Sequence, residues 1–507
     1  MQKLTQLLKT IDDNLLLGLL ILFTFFIPLY PKLPFIDLEY TYIYIRAEDF
    51  YIALIYMVFI VQLIRRKVTF NSKFLKFFLA YWAVIVTSLV VGIYITETLP
   101  IKGIAFLHTA RRFEYMGIFF VAASTITNFK SFKMIILSLV FGLFLVNIYG
   151  FGQRFFNFPS ISTMNPEFAR GRFLYLTPEA RINSTFGGHY DLAAYIVLLT
   201  PILWGIYFSF KTSKAFLIIN IILTYLVLML TASRASIIGY LSTPLFLIYM
   251  RKFKYAIIVV ILSTAIFMFN KDLSKRISQT FQVKRILVNE KTGQIYVPQK
   301  SSKTDLPAGG AIIDLNKNNN KNLNPEQTNE LLQEATQSGT MMSATDQAKM
   351  LANSKNLTAQ STVVADTSFS TRLQIEWPRA IDAFKKNPLI GTGASSITEA
   401  TDGDYHRVLG EFGILGFITF FSILFAIVKY IYTKSKFDKV ENKFILMAPI
   451  FGLMGLLINA LLIDVFEASK VAFILWLLMG VYVGYLSSIP TAKKTTKITT
   501  RSRYTSK

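Results

Sequence analysis

The sequence predicts an all-α polytopic membrane protein with about twelve transmembrane helices and one large extracytoplasmic loop. Three observations carry this. Apolar runs of roughly 16–24 residues, long enough to cross hydrocarbon with some tilt, recur along the chain. Hydrophobic residues make up 53% of the 507 and charged residues only 16%, a balance foreign to soluble enzymes. Lys and Arg gather in alternate short loops between the runs.

The expected spans are 14–31, 48–64, 76–96, 103–126, 132–150, 190–209, 214–231, 235–250, 254–270, 410–431, 444–466 and 470–488. The first run, Leu15 to Tyr30, follows Lys3 and Lys9 as a signal peptide would. It leads into Tyr30-Pro31-Lys32-Leu33-Pro34 rather than a small-residue cleavage site, so it reads as a retained helix. One set of loops holds Arg65, Arg66, Lys67 and Lys73; Lys130 and Lys133; Lys211 and Lys214; Arg251, Lys252 and Lys254; Lys434, Lys436, Lys439 and Lys443. The tail adds Lys493, Lys494, Lys497, Arg501, Arg503 and Lys507. The twelve spans place all of these on one side, so both termini are expected in the cytoplasm and the protein in a cytoplasmic membrane. The net charge of +23 is therefore a topology signal, and nucleic acid is not an expected partner.

This map divides the chain into four parts. Residues 1–270 carry helices one to nine with an outer loop at 151–189. Residues 271–409 form the large extracytoplasmic loop, expected to be flexible over about 300–366, where Asn, Gln, Ser, Thr and Lys dominate, and helical over about 372–387. Residues 410–488 carry helices ten to twelve, and 489–507 a basic cytoplasmic tail. The absence of cysteine excludes thiol catalysis. His108, His189 and His406 are too dispersed for a His-rich metal site, so no metal or other cofactor is expected.

The candidate chemistry lies at the outer ends of the helices. Arg234 sits in a short outer turn, Thr231-Ala-Ser-Arg-Ala235, where an arginine is costly unless paired or used. Its fork of donors suits phosphate or diphosphate; a structural ion pair or interfacial snorkelling is the alternative. Arg181, in Arg181-Ile-Asn-Ser-Thr-Phe186, reads as a second anion ligand or a solvated loop residue. Arg111, Arg112 and Glu114 fall inside the fourth run, where an internal Arg–Glu pair is the simplest account. Arg372 and Arg379 share a helix face, and Arg379 has Asp382 within pairing distance along the helix. Trp377 reads as packing or as a sugar platform. Asp402, Asp404, Tyr405, His406 and Glu411 stand at the mouth of the tenth helix. There a carboxylate or imidazole could deprotonate a hydroxyl, and Asp402 or Asp404 could equally cap the helix.

These elements together resemble the O-antigen ligase and O-antigen polymerase superfamily of bacterial membrane glycosyltransferases. Arg181-Ile-Asn-Ser-Thr-Phe186 with Leu192-Ala193 resembles the family's Arg-x-x-Gly/Ser-Thr-Phe element, and Thr231-Ala-Ser-Arg-Ala235 its Ser-Arg turn. Ser370-Thr-Arg372, Trp377, Ala380, Pro388 and Gly391-x-Gly393 resemble its large-loop pattern, and Asp402-Gly-Asp-Tyr405 through Gly413-Ile-Leu-Gly416 its final signature. The resemblance implies a C-type glycosyltransferase fold and transfer of glycan from a polyprenyl (undecaprenyl) diphosphate donor to a glycan, lipid or protein hydroxyl. It implies that Arg181 and Arg234 hold diphosphate with help from Arg372, without a metal. Asp402, His406 and Tyr405 would position or deprotonate the acceptor. Ligases usually carry His-Asn where this chain has Asp402-Gly403, so the resemblance favours a polymerase. An O-antigen ligase or protein O-oligosaccharyltransferase is the alternative. A transporter would place polar residues near the midplane and show internal repeats; no repeat is found.

Overall fold

The computed structural model describes residues 2–36, 44–164, 168–177, 180–269, 281–289, 295–296, 311–313, 357–365, 371–398, 401–437 and 442–489. The expected tail and most of the 300–366 stretch lie outside them. The helices are α1 (Gln2–Leu29), α2 (Ala47–Ile64), α3 (Leu75–Tyr94), α4 (Lys102–Thr125), α5 (Phe129–Phe155), α6 (His189–Ser209), α7 (Lys214–Leu230), α8 (Arg234–Tyr240), α9 (Ser242–Tyr249), α10 (Phe253–Phe269), α11 (Trp377–Lys386), α12 (Asp404–Lys434), α13 (Lys443–Asn459) and α14 (Ser469–Ser488). Among the described residues seven helices are long and apolar enough to cross a membrane: α1 over Lys9–Leu29, α2, α3, α5, α6, α12 and α14. Shorter apolar helices are α7, α13 and Phe253–Ala265 of α10. This is a multi-pass membrane protein. α4 carries Arg111, Arg112 and Glu114 and is not among the seven.

α6 and α14 are the central helices, with 83% and 89% of their apolar windows buried. Both are apolar on every side, as a helix surrounded by other helices must be. α6 packs chiefly on α13, and α14 on α4. The basic loops meet at one end, where Lys73 reaches Tyr430 and Ser487, and Arg65 grips Asp12 through two 2.7 Å bonds. At the opposite end Lys470 is fully buried. Its ammonium donates to the carbonyls of Pro28, Tyr30 and Thr185, stapling the exits of α1 and of the 181–186 segment to the start of α14.

Two expected spans are corrected. The run 235–250 is two helices, α8 and α9, meeting at Leu241. Pro244 lacks the N–H that would continue one helix, and its ring crowds the preceding turn. The run 444–466 stops as a helix at Asn459; residues 460–468 turn across the bundle end instead.

α12 is broken at Gly413 (φ 63°, ψ −167°). An interrupted helix leaves backbone groups that must find partners, because each unsatisfied one costs several kcal/mol in an apolar setting. The loop after α11 supplies them. Ile414 N–H donates to Pro388 O (2.9 Å) and Leu415 N–H to Leu389 O (3.1 Å). Thr392 and Gly393 N–H donate to the carbonyls of Gly410 and Glu411. Gly391 (φ 77°) lies so close that an added Cβ would stand 2.4 Å from Glu411 O and Phe412 N. The Gly391-x-Gly393 turn thus does more than end a helix: it completes another.

Two short strands, β1 (Pro34–Ile36) and β2 (Ile45–Arg46), pair antiparallel. Within the large loop, β3 (Phe281–Asn289), β4 (Ile295–Tyr296), β5 (Ala311–Ile313) and β6 (Leu357–Ala365) form an antiparallel sheet in the order β4-β3-β6-β5. β5 and β6 fall in the stretch expected to be flexible. The β-branched run Thr-Val-Val at 362–364 is the strand signal that the polar composition around it obscured.

Replacing Gly391 by Ala is expected to destabilise the protein by about 1–3 kcal/mol or more, from positive-φ strain and the clash at the α12 break. A lowered thermal midpoint in lipid nanodiscs checks this; an unchanged midpoint contradicts it.

Candidate functional site

Arg181 is carried by a turn locked through buried polar side chains. Asn183 donates to Ile161 O (3.0 Å) and Phe186 O (2.6 Å). Ser184 donates to Val146 O (2.7 Å), Thr185 to Pro28 O, and Gln153 bonds both backbone groups of Ser184. The turn presents Arg181 to His189 Nε2 (2.6 Å) and to the Tyr190 hydroxyl (3.3 Å) at the start of α6. The expectation of a merely solvated Arg181 gives way to this held arrangement.

A helical stretch begins at Arg372, with one π-type turn to Glu376 that runs into α11. Arg372 Nη2 pairs with Asp402 Oδ2 at 2.6 Å. Asp402 N–H donates to Glu376 Oε2 (3.0 Å), and Trp377 Nε1–H donates to Asp402 O (3.2 Å). The Trp377 ring stacks on His406, centroids 4.5 Å apart and planes at 14°. Arg372 is buried, whereas 37% of the Asp402 side chain is exposed, so the carboxylate is the solvent-facing half of this pair. Tyr190 lies within electrostatic reach of Arg372, which joins Arg181's neighbourhood to this one. Glu376 was not singled out from the sequence. Burial, and then the nearby Asp402 charge, push its carboxyl up to about 7.

Neither Asp402 nor Asp404 caps α12. The cap position is Gly403, with no side-chain cap bond. The Asp402 carboxylate is committed to Arg372. That of Asp404 accepts from Val465 N (2.7 Å) and Phe466 N (3.3 Å), anchoring the 460–468 turn. Tyr405 points to α13: its hydroxyl donates to Leu457 O (2.9 Å) and its ring stacks on Phe421, away from the Arg372–Asp402 pair. Arg379 bonds Thr398 Oγ1 (2.6 Å), while Asp382 pairs with Lys385 (3.3 Å). The expected Arg379–Asp382 pair is replaced because Ile397 and Thr398 lie on the arginine face.

The pair expected inside α4 is likewise replaced. Arg112 turns to Glu411 (2.8 Å) and to Glu467, not to Glu114. Glu411 also accepts from Arg407 (3.2 Å) and Ser395 N (3.0 Å), and Arg407 pairs with Asp464 at 2.6 Å. Arg111 bonds Tyr44 O (2.8 Å) and opens with Lys32, Arg46, Asp191, Arg407 and Asp464 onto a cavity of about 200 Å³. Sequence reasoning missed Lys32, Arg46, Asp464 and Glu467. The acids were hidden by the apolar run around them, although two carboxylates between apolar stretches were a signal.

Arg234 opens α8, half-buried, after the Ser233 cap. Its segment adjoins Arg181's through Ile182 N–H to Leu230 O (3.4 Å). α8 is tied to α13 by Ser236 Oγ to Asn459 Oδ1 (2.6 Å), two residues past the Leu457 carbonyl that holds Tyr405. The structure therefore brings Arg372, Asp402, Trp377 and His406 into direct contact, with Arg181 beside them. It sets Arg234 at the same bundle end, outside the cavity wall.

Compared with known families, the O-antigen ligase family model matches residues 219–460. That stretch includes Arg234, Arg372, Asp402 and His406 and leaves out Arg181. No curated protein matches the chain.

The raised Glu376 carboxyl predicts a pH dependence. The folded state holds its proton more tightly than the unfolded chain, so its contribution to stability falls as pH rises from about 4.5 to about 7 and is flat above. Thermal midpoints of wild type and Glu376→Gln are expected to diverge over that window, the variant losing less. Parallel curves contradict the assignment.

Proposed function

Because the chain belongs to the O-antigen ligase and polymerase superfamily, we propose that it is a glycosyltransferase acting at the bundle end opposite the basic loops. It moves glycan from a polyprenyl diphosphate-linked donor onto a hydroxyl acceptor, and lengthens a glycan chain as a polymerase. The supporting observation is the Arg372–Asp402 pair, flanked by Glu376, Trp377 and His406 and adjoined by the locked Arg181 turn.

In this reading the donor's sugar–oxygen bond to diphosphate breaks while the acceptor oxygen bonds to the sugar carbon. Negative charge gathers on the departing diphosphate. Arg181, Arg234 and Arg372 stabilise it, the guanidinium fork matching phosphoryl oxygens without a metal. The acceptor's proton passes to the Asp402–His406 cluster. His406 Nδ1 is buried without a hydrogen-bond partner among the described residues, which leaves that nitrogen uncommitted within the protein. Glu376, near neutrality, stands ready to receive the proton in turn. Tyr405 acts by holding the mouth of α12 against α13. The His406 position, one helical turn beyond Asp402 and stacked on Trp377, also favours the ligase reading, with a lipid or protein acceptor.

The test uses purified protein in lipid with an undecaprenyl diphosphate-linked oligosaccharide. A ladder of longer lipid-linked glycans is expected, with a loss of about 10²–10³-fold in Arg234→Ala or Arg372→Ala and about 10²–10⁴-fold in Asp402→Ala. Donor consumption only after adding a separate lipid or protein acceptor replaces polymerase with ligase. Donor binding without either product, in a folded protein, overturns transfer.

A further inference from the structure

The cavity beside the Arg372–Asp402 pair has a charge pattern that the transfer chemistry leaves unused. Lys32, Arg46 and Arg111 line it, exposed by only 6%, 3% and 7%. Arg46 Nε and Arg111 Nε are buried without hydrogen-bond partners among the described residues. Arg46 meets Glu48, and Arg111 meets Asp49, only at 3.8 Å. The Lys32 ammonium makes no hydrogen bond or ion pair among the described residues, and its stem lies against Gly187. Burial and the neighbouring Arg46 push its proton affinity down, against the opposing pull of Glu48 and Asp191. Glu48 and Asp49 answer these buried cations only at long range, and a further anion in the cavity would offset the cost of holding them out of water.

The acids facing them are unequal. Asp464 is committed to Arg407 at 2.6 Å. Asp191 makes no ion pair within 4 Å among the described residues and faces the cavity with Lys32 and Arg46 in electrostatic reach. Cations alone would fit a bare phosphate. Cations opposite an uncommitted carboxylate fit a ligand that carries an oxyanion on one side and hydroxyl donors on the other. The volume of about 200 Å³ equals roughly six or seven waters at about 30 Å³ each, room for a single sugar ring.

We infer that this cavity is a glycan subsite for an acidic sugar, its carboxylate or phosphate ester held by Lys32, Arg46 and Arg111 and its hydroxyls by Asp191. The inference rests on the transfer reading for the presence of a glycan, and it names the sugar class the enzyme selects.

Binding is read without turnover, so failure of transfer and failure of the subsite stay distinct. Protein in nanodiscs is titrated with glucuronate, glucose and inorganic diphosphate by saturation-transfer NMR. Glucuronate is expected to bind about tenfold more tightly than glucose, a difference of about 1.4 kcal/mol. The preference should vanish in Lys32→Met and persist in Arg372→Ala. Arg111→Gln is the second variant, and the thermal midpoint of each reports its folding. Equal binding of glucuronate and glucose, or a preference that survives in folded Lys32→Met and Arg111→Gln, overturns the subsite. Lys32-dependent binding of diphosphate in place of glucuronate overturns the sugar assignment and makes the cavity a donor headgroup site.

Discussion

Glu411 holds the functional end of the molecule together. Its carboxylate is buried between Arg112 of α4 and Arg407 of its own helix and accepts the Ser395 amide. Its carbonyl, freed by the α12 break two residues on, accepts from Gly393 N–H and the Ser88 hydroxyl (2.6 Å). One residue thus joins α3, α4, α12 and the loop after α11. Removing a partner from such a buried network typically costs about 3–5 kcal/mol, because the remaining charge stays out of water. The break at Gly413 and this ion network support each other. The break exposes carbonyls that the loop needs, and the loop in turn fixes α11.

The proposed site follows from where that places α11. With Pro388–Gly393 pinned at the break, the helical stretch from Arg372 lies across the mouth of α12. Arg372 then meets Asp402 and Trp377 meets His406 without further design. The locked 181–186 turn and the Lys470 staple bring a second arginine to the same mouth. In the proposed transfer, cations gathered by rigid backbone would stabilise a departing diphosphate with little reorganisation.

Much of this was legible in the residues. Apolar period and basic loops gave the helices, and Arg181, Arg372, Asp402 and His406 were marked by being polar beside membrane-length runs. The rest was hidden for physical reasons. Asp464 and Glu467 sit in an apolar run whose hydropathy cannot reveal that the chain turns at Asn459. Lys32 and Arg46 carry no local signal in the sequence, because burial is a property of the packed bundle. Glu376 stands out only through Asp402, whose position beside it no local spacing reveals. The pairings of Arg112 and Arg379 went to distant segments, since contacts hundreds of residues apart leave no mark on local spacing.

The central claim is that Arg181 and Arg372 face one lipid diphosphate donor, with Asp402 beside them. A polyprenyl diphosphate carrying a photoreactive group next to the phosphates, crosslinked in nanodiscs and mapped by peptide mass spectrometry, tests it most directly. The account predicts labelling within residues 181–191 and 371–407, abolished by excess unlabelled donor. Labelling confined to the basic end, near Lys73 and Tyr430, or undiminished by competitor, would contradict it.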